Sequence, residues 1–148
     1  MIDKNSENDA KFMRLALKEA EKGIGLTSPN PTVGCIIVKK GKIIGRGYHR
    51  KAGGPHAEIE AIRSAKGKPL KGATIYITLE PCSTYGKTPP CVEAIIKSEM
   101  ARVVYGVKDP DFRHQDKAKR LLKKQGIKVT TEILSEDFLI EDSDSDKS

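Results

Sequence analysis

His56, Glu58, Cys82 and Cys91 are the residues of this 148-residue chain whose types and spacing could do chemistry. His56-Ala57-Glu58 opens one helical pattern, and Pro81-Cys82 stands before a loop that closes at Cys91, where a second helical pattern starts. One imidazole and two thiolates form a donor set that suits zinc, and three protein ligands leave open the fourth tetrahedral position that distinguishes a catalytic site from a structural one. Helix N-termini, with their partial positive charge and free N–H groups, favour thiolates over thiols. Water at the open position would have its pKa lowered towards about 7. Glu58 could move protons beside the metal without binding it. Taken singly, each residue has a plainer reading: a His at a helix start caps or faces solvent, a Glu is solvated, a Cys packs. The four together, in this order and at element boundaries, are what argue for a site. Cys35 lies in the apolar run from Val33 to Val38 and is assigned to the core, and His114 to a surface loop.

Elements that could position these residues follow from periodicity. From Asn8 to Gly23, Phe12, Leu15, Ala16 and Ala20 recur at helical spacing, and Gly23 supplies a stop. Thr32 to Lys39 and Lys42 to Tyr48 are β-branched runs separated by Lys40-Gly41, which predicts an antiparallel hairpin. His56 to Ala65 predicts a helix, Thr74 to Leu79 a strand, Cys91 to Lys97 a helix and Arg102 to Val107 a strand. A lysine-rich helix from Asp116 to Gln125, ended by Gly126, leads to a last strand over Lys128 to Thr131. The order αββαβαβαβ predicts an α/β fold, a three-layer α/β/α sandwich around a mixed five-stranded sheet.

The formal net charge of +7 conceals an asymmetry. Residues 132–148 hold seven acidic residues and one lysine, a net of −6, which leaves +13 on residues 1–131. The reading is therefore one domain over 1–131 and an acidic, partly disordered tail over 132–148. A basic body suits an anionic ligand, and a solvated lysine surface explains it equally well. No run of about 18 apolar residues and no signal-like segment is visible, so the expectations are a cytoplasmic location and no membrane partner. Three cysteines, an odd number, fit a reducing compartment in which thiols serve as ligands or core residues.

The H-x-E pair with a downstream P-C and second Cys resembles the signature of zinc deaminases that act on nucleobases. Longer landmarks narrow the likeness: Asn30-Pro31-x-Val33-Gly34, Gly53-Gly54-Pro55-His56-Ala57-Glu58, Thr78-Leu79-Glu80-Pro81-Cys82-Ser83 and Tyr85-Gly86-Lys87-Thr88-Pro89-Pro90-Cys91. From about Phe12 to Thr131 the chain resembles the deaminase domain of riboflavin biosynthesis enzymes, in the cytidine deaminase-like superfamily. Eight residues separate Cys82 from Cys91, where nucleic-acid deaminases of that superfamily place two. The resemblance implies a cytidine deaminase-like fold, Zn2+ held by His56, Cys82 and Cys91, and Glu58 as the catalytic proton carrier. It also implies a phosphoribosylated diaminopyrimidinone as substrate, with contacts from Asn30, His49, Lys87 and Asp109. Asn30 offers a donor and an acceptor to a ring edge, and His49 and Lys87 offer donors to a sugar or phosphate.

The family continues into an NADPH-dependent reductase domain, so the resemblance implies either a separate reductase in the same pathway or a protein that has left that pathway, and a homo-oligomer is the expected assembly. Two other readings stand beside this one. After the fourth strand the relatives carry Asp-Pro-Asn-Pro, whereas this chain has Asp109-Pro110-Asp111-Phe112, and the extra carboxylate would repel an anion there. That departure and the basic body favour a deaminase of another base, free or in nucleic acid, although few aromatics are present to stack single strands. A non-catalytic zinc-stabilised binding protein is the third reading, opposed by the intact Glu58.

Overall fold

A computed structural model describes residues 4–23, 32–50, 56–81, 91–107 and 117–131. Helix α1 (Lys4–Glu21) precedes the hairpin strands β1 (Gly34–Lys39) and β2 (Lys42–Tyr48). Then follow α2 (Ala57–Ser64), β3 (Thr74–Leu79), α3 (Cys91–Lys97), β4 (Arg102–Val107), α4 (Lys117–Lys124) and β5 (Lys128–Thr131). The strands form one mixed sheet in the order β2-β1-β3-β4-β5. β1 is antiparallel to both β2 and β3, while β3, β4 and β5 run parallel. The expected mixed five-stranded sheet is therefore present. α1 begins four residues before Asn8, and β1 begins at Gly34, two residues after Thr32.

The hairpin turns on Lys40 (φ 51°) and Gly41 (φ 77°), both left-handed, which matches the twist of the flanking strands. A bulge where β1 passes from Ile37 to Val38 changes the register with β2, so that Ile37 faces Gly45 and Val38 faces Ile43. Alternation divides the sheet into two apolar faces. Cys35, Ile37, Ile75, Ile77, Val103 and Tyr105 pack with Ala57 and Ala61 of α2, Val92 and Ile95 of α3, and Ala118 and Leu122 of α4. Ile36, Val38, Tyr76 and Val104 pack on the other face, against Phe12, Met13 and Ala16 of α1. The layers are thus α1, sheet, and α2 with α3 and α4. Among the described residues no helix is long and apolar enough to cross a membrane.

One polar network fastens α1 to the sheet. Arg102 Nη1 donates to Asp9 Oδ1 at 2.8 Å, and Nη2 donates to Asp9 Oδ2 and to Thr130 Oγ1. The Tyr76 hydroxyl donates to Asp9 Oδ1 at 2.8 Å. Asp9 is buried, so this carboxylate is tolerated because its acceptors are occupied. Burial first, and then the bond to Asp9, push the Tyr76 phenol above its ordinary range. Its folded value thus lies above its unfolded one, so its contribution is complete below about pH 10 and shrinks as pH rises further.

Asp9→Asn should lower the unfolding free energy by about 1–3 kcal/mol, as for a hydrogen bond to a charged group, read by urea denaturation. Tyr76→Phe should cost about 1 kcal/mol at neutral pH. Its deficit against the parent chain should narrow in alkaline buffer; a deficit that widens there would contradict the assigned direction.

Candidate metal and catalytic site

The site is assembled at one end of the sheet. Four segments arrive there: the C-terminal ends of β2 and β3 and the N-termini of α2 and α3. Two bonds draw the strand ends together. Gly34 N–H donates to Thr78 Oγ1 at 3.1 Å, and His49 N–H donates to the Val33 carbonyl at 3.1 Å. The location agrees with the general rule that open α/β sheets build their sites outside the carboxyl ends of the parallel strands.

Close seating of α2 on β2 fixes the angle at which its first turn meets the site. A Cβ on Gly45 would lie 2.5 Å from the Ala61 carbonyl oxygen. A Cβ on Gly47 would lie 2.5 Å from Ala61 N and 2.7 Å from the Ala57 carbonyl oxygen. The obstructing atoms are helix backbone and cannot rotate away. Only glycines allow this approach, and they let Ala57 and Ala61 sit fully buried on the sheet.

His56 is the N-cap residue of α2, with extended backbone (φ −71°, ψ 163°), and its side chain makes no capping bond. The imidazole instead reaches across to α3, where Nδ1 lies 3.2 Å from Cys91 Sγ. Cys91 is the first residue of α3 and is buried. Thirty-five residues apart in sequence, these two groups are close enough to share one metal ion. A nitrogen and a sulfur of this kind fit zinc better than magnesium or calcium, which take oxygen ligands. Glu58 follows in the first turn of α2 and is 3 % exposed, so a carboxylate is buried next to the imidazole at the end of the helix that favours negative charge.

His49 is 7 % exposed, and its ring meets that of His56 edge to face, with centroids 5.5 Å apart and planes at 76°. Among the sequence-predicted residues the structure thus brings together His49, His56, Glu58 and Cys91. Cys82, Asn30, Lys87 and Asp109 lie outside the described residues, as does His114. Cys35 is fully buried and in no disulfide. Burial, then the charges of Glu58 and Glu19, push its thiol well above the ordinary range, which keeps it protonated and suits the core role expected of it.

Two polar residues at this end were not singled out by chemistry-bearing spacing. Thr78, buried in an apolar strand, ties β3 to β1. Glu80 is 4 % exposed and buries a carboxylate two residues ahead of Cys82. The available signal was their place in the landmark from Thr78 to Ser83, directly ahead of Cys82.

With this geometry in view, likeness to known proteins is specific. Residues 6–107 match the cytidine and deoxycytidylate deaminase zinc-binding region. The chain belongs to that family. It is 50% identical over 131 residues to the riboflavin biosynthesis protein RibD of Aquifex aeolicus, covering 88% of this chain and 36% of that protein. It is 46% identical to the diaminohydroxyphosphoribosylamino-pyrimidine deaminase of Buchnera aphidicola subsp. Schizaphis graminum, covering 87% of each. A solved structure from Thermotoga maritima superposes with a TM-score of 0.85 at 44% identity, covering 90% of this chain and 38% of that one. That protein is a diaminohydroxyphosphoribosylaminopyrimidine deaminase/5-amino-6-(5-phosphoribosylamino)uracil reductase. The chain thus spans about a third of the length of the RibD proteins it matches and nearly all of the Buchnera deaminase.

Gly47→Ala should displace α2, lowering stability by about 1–3 kcal/mol as overpacking does. It should also weaken zinc retention, read as metal per folded chain after dialysis. A variant that keeps full metal content and full stability would show that α2 is not held by this contact.

Proposed function

We propose that this chain is a zinc-dependent hydrolytic deaminase acting on the diaminopyrimidinone ribotide of riboflavin biosynthesis. One observation carries the reading: an imidazole and a thiol sulfur 3.2 Å apart, from two helix starts, with a carboxylate buried in the same first turn as the imidazole. The 46% identity to a deaminase named for that pyrimidine, over 87% of both chains, supports the choice of substrate. The eight-residue interval between Cys82 and Cys91 supports it further.

His56, Cys82 and Cys91 would hold the zinc. Zinc, when bound, supplies the Lewis acidity that makes water a competent nucleophile near neutral pH. Glu58 does the proton work. Its carboxylate takes a proton from the attacking water, passes it to the ring nitrogen adjoining the amine-bearing carbon, then takes the remaining proton from the new hydroxyl and delivers it to the departing amine. The carbon–nitrogen bond to the exocyclic amine breaks, a carbonyl takes its place, and ammonia leaves. Burial of Glu58 excludes bulk water that would compete for the proton. His49, Asn30, Lys87 and Asp109 bind and orient the ribotide in this reading, with His49 already packed against the His56 ring. The product passes to a reductase of the kind joined to the deaminase in the Thermotoga maritima protein. Thiol ligands require a reducing compartment, which makes the cytoplasm the expected location. A homo-oligomer is the expected assembly, measurable by light scattering.

Zinc-loaded protein should release ammonia from the diaminopyrimidinone ribotide; absence of turnover would overturn the substrate assignment. Glu58→Gln should keep its zinc and lose about 10²–10⁴-fold in kcat, the range for a general acid–base group. Cys91→Ala should lose zinc and, with it, part of its thermal stability.

A further inference from the structure

Helix α4 carries Lys117, Lys119, Arg120, Lys123 and Lys124 in eight positions and no acidic residue in its first turn. Lys128 opens the adjoining strand β5. Among the described residues none of these six cations makes an ion pair, and they are set apart from other unpaired lysines such as Lys40 and Lys66 by their density along one helix and its neighbouring strand. Arg120 and Lys124, like Lys119 and Lys123, stand four residues apart on one helix face, a spacing at which like charges repel. Lys117 adds a positive charge at the positive end of the helix dipole. Ala118 and Leu122 are fully buried and hold the helix on the sheet. Leu121, 37% exposed, stands on the outer side next to Arg120. This is a surface built against its own electrostatics.

We propose that the acidic segment 132–148 of the same chain docks on this face of α4. Charge complementarity is the first argument, since seven acidic residues against one lysine give a net of −6, facing six unpaired cations. Reach is the second. The segment starts directly after Thr131, at the end of β5, and β5 is the strand beside which α4 lies. Eight helical residues span about 12 Å. Seventeen residues extend up to about 56 Å, so the segment can cover the helix with chain to spare. Side-chain chemistry is the third. Ile133, Leu134, Phe138, Leu139 and Ile140 alternate in blocks with the acidic residues, which offers Leu121 an apolar contact within an anionic strand. The tether makes the encounter intramolecular, with an effective concentration on the order of millimolar. The docked segment would close the most basic helix of a +13 body to nucleic acid.

Zero-length carbodiimide cross-linking of the full chain at low salt tests this. Amide links from the carboxylates of 132–148 should form with Lys119, Lys123 and Lys124 about tenfold more often than with the exposed Lys40, Lys66 and Lys68. They should be intramolecular at every dilution. They should vanish near 1 M salt, where the Debye length is about 3 Å. In a full chain with Glu141→Gln, Asp142→Asn, Asp144→Asn and Asp146→Asn, the α4 amides should exchange faster and salt-sensitive tRNA binding should appear. Links spread evenly over all exposed lysines, links between molecules, or tRNA binding equally tight in the parent and neutralised chains would each overturn the proposal. None of these readouts depends on turnover, so failure here and failure of the deaminase assignment are separate results.

Discussion

The fit of α2 onto β2 is the constraint from which the rest of the site follows. Ordinary helices ride on a sheet with side chains between the two backbones. Here Gly45 and Gly47 remove that spacer on one side, and Ala57 and Ala61 minimise it on the other. The helix axis therefore comes close to the strand, and the start of α2 holds His56 at the end of the sheet where α3 begins. Larger side chains in this contact would lift α2, and the imidazole at its start, away from the sheet. The bulge in the hairpin is part of the same device, because it sets which β2 residues face α2.

Much of the fold was legible because its signals are local. β2, β3, β4, β5 and α3 have the limits that β-branched runs, helix formers and flanking turns predict. The parallel order of β3, β4 and β5 follows from the helices that separate them in sequence. The start of α1 was not legible, because the apolar periodicity that announces a helix begins only at Phe12, whereas the helix itself starts at Lys4. The start of β1 is not legible for a related reason: Thr32 and Val33 have strand propensity, but the ladder to β2 opens only at Gly34 with Tyr48.

Within the candidate site, residue type and order pointed to His56, Glu58 and Cys91, and the structure brings the first and last of these to 3.2 Å and buries the second. The glycine floor was not readable in advance. Gly45 and Gly47 look like interruptions of a strand until the helix above them is known. The buried carboxylate of Glu80 was hidden for the same reason, since burial is a property of three-dimensional neighbours. The neutral state of the Cys35 thiol was hidden too, since it comes first from burial and then from the charges of Glu58 and Glu19, which only the fold brings near.

Asp9 and Arg102 are 93 residues apart, and their pairing joins the first helix to the fourth strand and, through Thr130, to the fifth. Loops of that length close at an entropic cost that local contacts do not offset. The clamp is thus a non-local contact in a fold whose hairpin and helices can form earlier. An interaction absent from the transition state governs the rate of unfolding rather than that of folding. If the Asp9–Arg102 pair closes after the transition state, it acts as a latch on the finished domain, setting how long each molecule stays folded between opening events.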